Sequence, residues 1–295
     1  MGTLLHRSLA VLTFAVVSVF AVGRADAEST GLPKTSVTKK TGYAPVNGLE
    51  MYYEITGQGK PAVYIHPIVS HCGLVPGLSA NRQWIAMDLQ GHGRTADIDR
   101  PMTCEQHADD IAALLRHLKI EEADFFGDSF GGAIAVTMAV RHPQLVRRVI
   151  IYGSPLVPLP KELATVFTAD SELIKWEREE YQKVAPDPKQ WPLLFAKVLK
   201  CGIEWKGFST DELKSIKVPL LIACGDHDLI PVERCVELSR LIPHAQLAVI
   251  PDASHFVLFS EPEKLLPTIA TFLDEPAPKV PLSTFKAGYY PGVTR

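Results

Sequence analysis

One serine, two aspartates and one histidine stand in short polar stretches whose order along the chain is typical of covalent catalysis. Ser129 lies in residues 127–131, Gly-Asp-Ser-Phe-Gly, which match the pattern G-x-S-x-G. Asp226 and Asp228 follow in the stretch Gly-Asp-His-Asp, and His255 follows in Ser-His-Phe. A serine hydroxyl becomes nucleophilic when a base takes its proton and an acid holds that base in the right tautomer. The sequence therefore predicts a serine nucleophile served by a distant histidine.

The small residues around Ser129 predict a tight turn from a strand into a helix. Larger residues at Gly127 and Gly131 would collide with the returning helix, and Gly132 and Ala133 keep that helix close to the strand. Such a turn exposes the serine hydroxyl and points the first helical N–H groups at bound substrate, where they favour negative charge. A chance match to so short a pattern is the alternative, and the strand-to-helix context argues against it.

Short apolar runs alternate with helical patterns along most of the chain, which predicts a mostly parallel sheet with helices on both faces. Strands are predicted at 48–57, 61–67, 82–93, 123–126, 146–153, 218–226 and 245–251, and helices at 104–118, 129–142, 232–242 and 260–275. A capping box of Ser260 and Glu263 is predicted to open the last helix. The candidate catalytic residues each follow a strand, at the sheet edge where parallel sheets bind ligands.

One segment interrupts this alternation. Residues 155–212 are helix-like and rich in proline and aromatic residues, so we predict a cap insertion between two parts of the core, 28–154 and 213–275. Residues 276–295 are predicted to form an extended tail. The aromatic residues of the insertion, some of which we expect to line an apolar pocket, are Trp176, Tyr181, Trp191, Phe195, Trp205 and Phe208.

The N-terminus predicts export. Leu9 to Val22 carry no charge, and Ala25 and Ala27 flank Asp26 in a cleavage pattern. A helix of this apolar length would rise about 21 Å, short of a hydrocarbon core of about 30 Å. Residues 1–27 are therefore predicted to be a secretory signal peptide cleaved after Ala27, giving a periplasmic or secreted protein without a stable membrane span. An uncleaved anchor is the alternative.

The composition excludes several classes of protein. A hydrophobic content of 46% is that of a globular protein, and a net charge of −3 without a long basic run gives no sign of a nucleic-acid partner. The chain has five cysteines, whose pairing after export stays open, and Cys224 is expected to be a small hydrophobic residue of a buried strand. No spacing resembles a zinc site. We predict neither a metal nor a cofactor, and the oligomeric state stays open.

Three motifs give the chain a resemblance to a known superfamily. Residues 88–95, Asp-Leu-Gln-Gly-His-Gly-Arg-Thr, resemble the D-x-x-G-H-G-x-S turn of the α/β-hydrolase superfamily. Gly-Asp-His-Asp resembles its G-x-x-D acid turn, and Ser-His-Phe stands where that superfamily usually has glycine-histidine. Over residues 42–275 the chain resembles the small-cap esterase and haloperoxidase-like branch. The resemblance implies that Ser129 is the nucleophile, His255 the base and Asp228 the orienting acid, with Asp226 as the alternative acid.

The resemblance also implies an oxyanion hole of two backbone N–H groups. One belongs to Phe130, and the other to Ile68 in the loop after an earlier strand. The superfamily has His-Gly-x in that loop, whereas this chain has Pro67 in place of the glycine, and proline carries no N–H group. The nearby histidines His66 and His92 are predicted to brace loops.

The predicted function is that of a serine hydrolase that cleaves an ester or another small acyl compound through an acyl-enzyme. A perhydrolase or haloperoxidase-like enzyme with the same triad is one alternative, because the same residues serve both reactions. A ligand-binding protein that keeps the fold without turnover is the other. Loop packing is the expected role of His71 and Cys72, with a contact to the substrate or to the catalytic residues as the alternative. Turn packing is the expected role of Asp128, with tuning of the site as the alternative.

Overall fold

A computed structural model describes most of the chain. The described residues are 39–72, 81–154, 156–158 and 168–274. The predicted signal peptide (1–27) and the predicted tail (276–295) lie outside these residues. Within the described residues, no helix has both the length and the apolar content needed to cross a lipid bilayer.

Eight strands form one sheet in the spatial order β1-β2-β4-β3-β5-β6-β7-β8. The strands are β1 (Lys39–Val46), β2 (Leu49–Thr56), β3 (Lys60–Ile65), β4 (Arg82–Met87), β5 (Ala123–Asp128), β6 (Val146–Tyr152), β7 (Leu220–His227) and β8 (Ala245–Ser254). The pairs β1–β2 and β2–β4 are antiparallel, and every other neighbouring pair is parallel. The predicted mostly parallel sheet is confirmed.

Helices cover both faces of this sheet. They are α1 (Cys104–His117), α2 (Phe130–Arg141), α3 (Glu172–Val184), α4 (Trp191–Glu204), α5 (Thr210–Ser215), α6 (Val232–Leu241), α7 (Val257–Ser260) and α8 (Pro262–Asp274). Buried residues of α1, α2 and α6 form one apolar core with the sheet, and buried residues of α7 and α8 form a second core on the opposite face. This two-sided burial explains why the strands are continuously apolar.

Two details differ from the sequence-based expectations. Strand β1 was not predicted, because its residues include Gly42 and Pro45 and lack an apolar run, yet it pairs with β2 along its whole length. The capping box predicted for the last helix is wrong. Ser260 ends the short helix α7, where its hydroxyl donates to the carbonyl of Phe256, and α8 begins at Pro262.

Helices α3, α4 and α5 lie between β6 and β7 in the chain, within the segment predicted to be a cap. A third apolar cluster joins α3 and α4 to the loop after β3, and its buried residues are Val69, Met102, Ile174, Tyr181, Trp191, Leu194, Val198 and Cys201. Ile68 and Phe130 pack against this cluster. The boundaries 155–212 of the insertion stay a prediction.

A buried ion-pair cluster lies near the beginning of β5, at the end of the sheet opposite to the carboxyl end of that strand. The Asp124 carboxylate accepts hydrogen bonds from Arg82 and from Arg147, at 2.7 Å from the Nη2 atom of the latter. Arg82 also donates to Leu273 and Asp274 at the end of α8. The cluster therefore ties the C-terminal helix to the sheet.

We expect Asp124→Asn to destabilise the fold by about 3 kcal/mol, because the change leaves the charge of the buried Arg82 without its buried partner. Chemical denaturation measures the free energy of unfolding. Asp109→Asn is the matched control, since Asp109 pairs with Arg141 at a partly exposed site, and there we expect less than about 1 kcal/mol. Equal losses in the two variants would contradict this account of Asp124.

Candidate active site

Ser129 occupies the turn between β5 and α2 with backbone angles that most residues avoid. Its φ is 53° and its ψ is −118°. Asp128 ends the strand and Phe130 begins the helix, so the turn consists of this single residue. The N–H group of Ser129 donates to the carbonyl of Tyr152, at the end of the neighbouring strand β6, over 2.8 Å. This bond holds the strained turn in place, at the carboxyl ends of the strands.

The glycines around Ser129 are required by close backbone approaches. A Cβ atom on Gly127 would lie 2.2 Å from the carbonyl oxygen of Gly131. A Cβ atom on Gly131 would lie 2.2 Å from the carbonyl oxygen of Ile65, and one on Gly132 would lie 2.6 Å from the Cβ atom of Ser154. Any side chain would therefore push α2 away from β3, β5 or β6, and with it the serine.

A chain of hydrogen bonds links Ser129 to His255 and Asp228. The Nε2 atom of His255 lies 3.0 Å from the hydroxyl oxygen of Ser129, and its Nδ1 atom lies 2.7 Å from Oδ1 of Asp228. The same Oδ1 atom accepts from the N–H of Ile230 over 3.0 Å. With the proton on Nδ1, the histidine donates to the carboxylate and Nε2 is free to accept from the serine. The structure thus brings the three predicted residues together.

The structure separates the two candidate acids. The side chain of Asp228 is fully buried against His255, whereas that of Asp226 is 42% exposed. Oδ1 of Asp226 accepts from the N–H of Ala253 over 3.2 Å and fixes the end of β8. Asp228 therefore has the geometry of the orienting acid and Asp226 does not.

The sequence analysis missed two residues that position this arrangement, Tyr152 and Gly153. The Tyr152 hydroxyl donates to the carbonyl of Ser254 over 2.6 Å, next to His255. Gly153 has φ of 57°, and a Cβ atom on it would lie 2.8 Å from the imidazole ring of His255. The signal that could have found them is a glycine directly after β6, because β6 is the neighbour of the strand that carries the serine.

Charges around His255 make it a stronger base. Burial opposes the imidazolium, but the charge and hydrogen bond of Asp228 outweigh burial, so the pKa of His255 is raised above its ordinary value. For Asp228, burial alone would raise the pKa, and the interaction with His255 and two backbone N–H groups lowers it instead. The pair therefore stabilises the proton that His255 takes from a serine.

A second buried carboxyl group, that of Asp128, stands directly before the nucleophile. Burial raises the pKa of Asp128 to about 7, with Asp228 adding to the shift and His255 opposing it. Its Oδ1 atom has no hydrogen-bond partner among the described residues. Its charge also contributes to the raised pKa of His255. Asp128 is thus placed to influence the base, which favours the alternative of tuning over the turn packing that we expected.

The loop after β3 carries the second predicted oxyanion donor, Ile68. Its first residues lie against the turn, because the carbonyl oxygens of Ile65 and His66 are those that a Cβ atom on Gly131 would meet. The Nδ1 atom of His66 lies 2.8 Å from the carbonyl oxygen of Pro67, and its Nε2 atom accepts from the N–H of Leu89 over 3.3 Å. Burial lowers the pKa of His66 to about 3, so the ring is neutral and holds the loop at Pro67.

Ile68 and Phe130 pack against the same apolar cluster, at the loop and at the first turn of α2. The N–H of Phe130 has no partner within its own helix, because the first N–H groups of any helix lack one. Their roles as oxyanion donors stay a prediction. His92 braces its turn, with Nδ1 lying 2.8 Å from the carbonyl oxygen of Gln90.

In the described part of the chain, the cysteines show no sign of a catalytic role, and the possible metal ligands show no sign of a metal-binding role. The N–H of Cys72 donates to Asp88 over 2.7 Å, and burial raises the pKa of the Cys72 thiol, so it is not a thiolate nucleophile. All five cysteines are buried and free of disulfide bonds. Within the described residues, no three His, Cys, Asp or Glu side chains come together in a way that could hold a metal ion.

A cleft of about 410 Å³ lies between the loop at 96–99 and helices α3 and α4, and its lining includes Tyr181 and Lys197. None of the residues that line it belongs to the arrangement around Ser129. Lys197 and Asp97 both line it and pair with each other at 2.6 Å. We therefore assign the chemistry to the serine turn and not to this cleft.

Comparisons with known proteins agree with this fold and arrangement. A family model described as the alpha/beta hydrolase family matches residues 63–268. A 2-hydroxy-6-oxo-2,4-heptadienoate hydrolase from Pseudomonas putida is 26% identical over 260 residues, which cover 77% of this chain and 93% of that protein. A non-heme haloperoxidase from Rhodococcus erythropolis is 27% identical over 249 residues, or 71% of this chain and 90% of that protein.

Among solved structures, an enol-lactonase from Burkholderia xenovorans LB400 has a TM-score of 0.65 and 25% sequence identity. The match covers 79% of this chain and 100% of the lactonase.

The two candidate acids can be tested against each other. We expect Asp228→Asn to lower kcat by about 10³–10⁴-fold, because the amide holds the wrong tautomer of His255. Asp226→Asn removes the same charge from an exposed side chain, and we expect kcat within about twofold. Steady-state hydrolysis of an activated ester measures both, and a larger loss from Asp226→Asn would reverse the assignment.

Asp128→Asn tests the influence of the second carboxyl. Removing its negative charge lowers the pKa of His255, so the acid limb of the kcat/KM profile should move to lower pH. Asp226→Asn is again the control and should leave the limb in place. An unchanged limb in Asp128→Asn would show that Asp128 has only a packing role.

Proposed function

Because the chain belongs to the alpha/beta hydrolase family, we propose that it is a serine hydrolase that cleaves an ester or a similar small acyl substrate through an acyl-enzyme. The observation that carries this proposal is the continuous hydrogen-bonded path from Ser129 through His255 to the buried Asp228. Serine is the nucleophile of acyl transfer when such a path removes its proton.

The proposed reaction has two halves. His255 takes the hydroxyl proton as Ser129 attacks the acyl carbonyl, and the N–H groups of Phe130 and Ile68 receive the negative charge of the oxygen. The carbonyl re-forms as the leaving group departs with the proton from His255. Water then attacks the acyl-enzyme, gives a proton to His255, and releases the acid while the proton returns to Ser129.

The choice of an ester rests on chemistry and on one solved relative. A lactone is a cyclic ester, and the enol-lactonase shares the fold over nearly the same length of chain. The raised pKa of His255 suits acyl transfer, which needs a base that holds its proton in the intermediate. These observations support the cleavage of an ester bond, but they do not identify the acyl chain of the substrate.

Two other functions are favoured by specific relatives. The heptadienoate hydrolase from Pseudomonas putida makes hydrolysis of a 2-hydroxy-6-oxo-dienoate the second candidate. Such a substrate carries a carboxylate, and among the described residues Arg82 is the one buried lysine or arginine, at the far end of the sheet. The third candidate is a reaction in which peroxide, in place of water, attacks the acyl-enzyme. The similarity to the haloperoxidase favours this candidate. Export through residues 1–27 also stays a prediction.

The decisive experiment combines active-site labelling with turnover. We expect wild-type protein to be labelled by a fluorophosphonate and to hydrolyse p-nitrophenyl esters, and Ser129→Ala to lose both. The ester activity should rise with pH as His255 loses its proton, with a midpoint above about 6.5 because its pKa is raised.

Ser209→Ala is the control, since Ser209 is an exposed serine at the start of α5 and should keep full labelling. Absence of both labelling and turnover in wild type would overturn the proposal in favour of a binding protein. Faster turnover of a dienoate than of every ester would favour the second candidate.

A further inference from the structure

Glu177 places a buried carboxyl group on the face of α3 that packs towards the serine turn. The buried residues of this helix are Ile174, Glu177 and Tyr181, which follow one another at helical spacing. Ile174 and Tyr181 belong to the apolar cluster against which Ile68 and Phe130 pack. Glu177 therefore stands between two side chains of the apolar cluster against which the proposed oxyanion donors pack.

The carboxyl group of Glu177 has unmet hydrogen-bonding capacity. Its Oε2 atom has no hydrogen-bond partner among the described residues, although only 6% of the residue is exposed. Leaving such a group buried and unpaired is costly, and proteins keep such groups where they serve a ligand or a reaction. A purely structural residue at this position would be apolar, like its neighbours on the stripe.

Two further unpaired groups lie in the same region, at the carboxyl ends of β3 and β5. The hydroxyl of Tyr64 and the Oδ1 atom of Asp128 are both buried and have no partner within the described chain. After burial, the charges of Asp128 and then Glu177 raise the pKa of Tyr64, so both acids lie within electrostatic reach of this phenol. Two acids and a phenol give this region acceptor atoms and negative charge.

Aromatic rings stand beside the carboxyl. Tyr181 is four residues after Glu177 and hence its neighbour on the helix surface. The rings of Tyr181 and Trp191 have centroids 5.4 Å apart, and Trp191 stacks on Phe195 at 6.0 Å. A buried carboxyl next to aromatic rings is the combination that recognises an organic cation, through charge and through the faces of the rings.

We propose that Glu177 is a specificity-determining residue that pairs with a positively charged group on the acyl chain of the substrate. The inference rests on the proposed hydrolase function and names its substrate class. The cation belongs to the acyl side because the leaving group must lie next to His255, which protonates it, whereas Glu177 lies on the helix whose apolar cluster packs with Ile68 and Phe130. An anionic acyl chain would meet Asp128 and Glu177, whereas the one buried lysine or arginine among the described residues, Arg82, lies at the far end of the sheet.

The protonation of Glu177 sets the conditions of the test. Burial, reinforced by the charge of Glu180, raises the pKa of Glu177 to about 8. The carboxyl must ionise to pair with a cation, so preference for a cationic substrate should grow as the pH rises through this value. Asp128 and Tyr64 face the same region from the sheet, and Asp128 is largely ionised at the pH where the test is run.

The test compares two p-nitrophenyl esters of the same shape at pH 8.5. One is the ester of 4-(trimethylammonio)butanoate, whose charge is independent of pH, and the other is its neutral carbon isostere, 5,5-dimethylhexanoate. Each kcat/KM is divided by the rate of hydroxide hydrolysis of the same ester, which removes differences in intrinsic reactivity. We expect wild type to prefer the cation by about tenfold or more.

Glu177→Gln should reduce that preference to about one while leaving kcat/KM for the neutral ester within about threefold. Glu179→Gln is the matched control, because Glu179 is exposed on the same helix and carries the same charge. The preference of wild type needs no variant, so the test holds even if Glu177→Gln fails to fold.

Failure of the inference differs from failure of the proposed function. Wild type that hydrolyses the neutral ester and takes the fluorophosphonate label, yet shows no preference for the cation, would overturn the role of Glu177 alone. A preference for the anionic hemiglutarate ester over the neutral one would overturn it as well. Loss of labelling and of all ester turnover would overturn the proposed function itself.

Discussion

The positive φ of Ser129 is the constraint on which the rest of the site depends. A residue in this conformation lifts its side chain out of the strand and starts a helix at once, but it costs about 1–3 kcal/mol when the residue is not glycine. The surrounding structure holds it there through the bond to Tyr152 and through backbone contacts at Gly127 and Gly131 that leave no space for a Cβ atom. The strain is thus stored in the place where the hydroxyl must be exposed.

The second half of the site depends on this same close packing. Gly153 directly follows β6, the strand whose Tyr152 carbonyl accepts from Ser129. Because Gly153 has no side chain, the imidazole of His255 can approach its backbone. Tyr152 contacts both sides, because its carbonyl accepts from Ser129 and its hydroxyl donates to Ser254 beside the histidine. Tyr152 and Gly153, at the end of β6, therefore set the position of the nucleophile and the base together, although neither residue takes part in the reaction.

The sequence predicted the features that rest on local patterns. The strands and helices follow from runs of apolar residues and the serine turn from a motif of five residues, whereas the preference for Asp228 over Asp226 follows from the resemblance to the superfamily. Strand β1 escaped prediction because its pairing with β2, and not its composition, makes it a strand. Gly153 and Glu177 escaped because their importance comes from what lies across the sheet or under α3. In the sequence alone, a single glycine or a glutamate in a helical segment does not reveal which residues will lie next to it in the fold.

Buried acidic groups differ in charge compensation between the two ends of β5. At the beginning of β5, Asp124 is surrounded by arginines, and its charge is fully compensated. At the end of the same strand, Asp128 has no arginine or lysine partner among the described residues, and the only cation it faces is the one that His255 becomes. The uncompensated acids therefore gather where an imidazolium forms during acyl transfer. The same excess of negative charge extends towards Glu177, which is why we expect a region that stabilises a transient cation on the enzyme to accept a permanent one on the substrate.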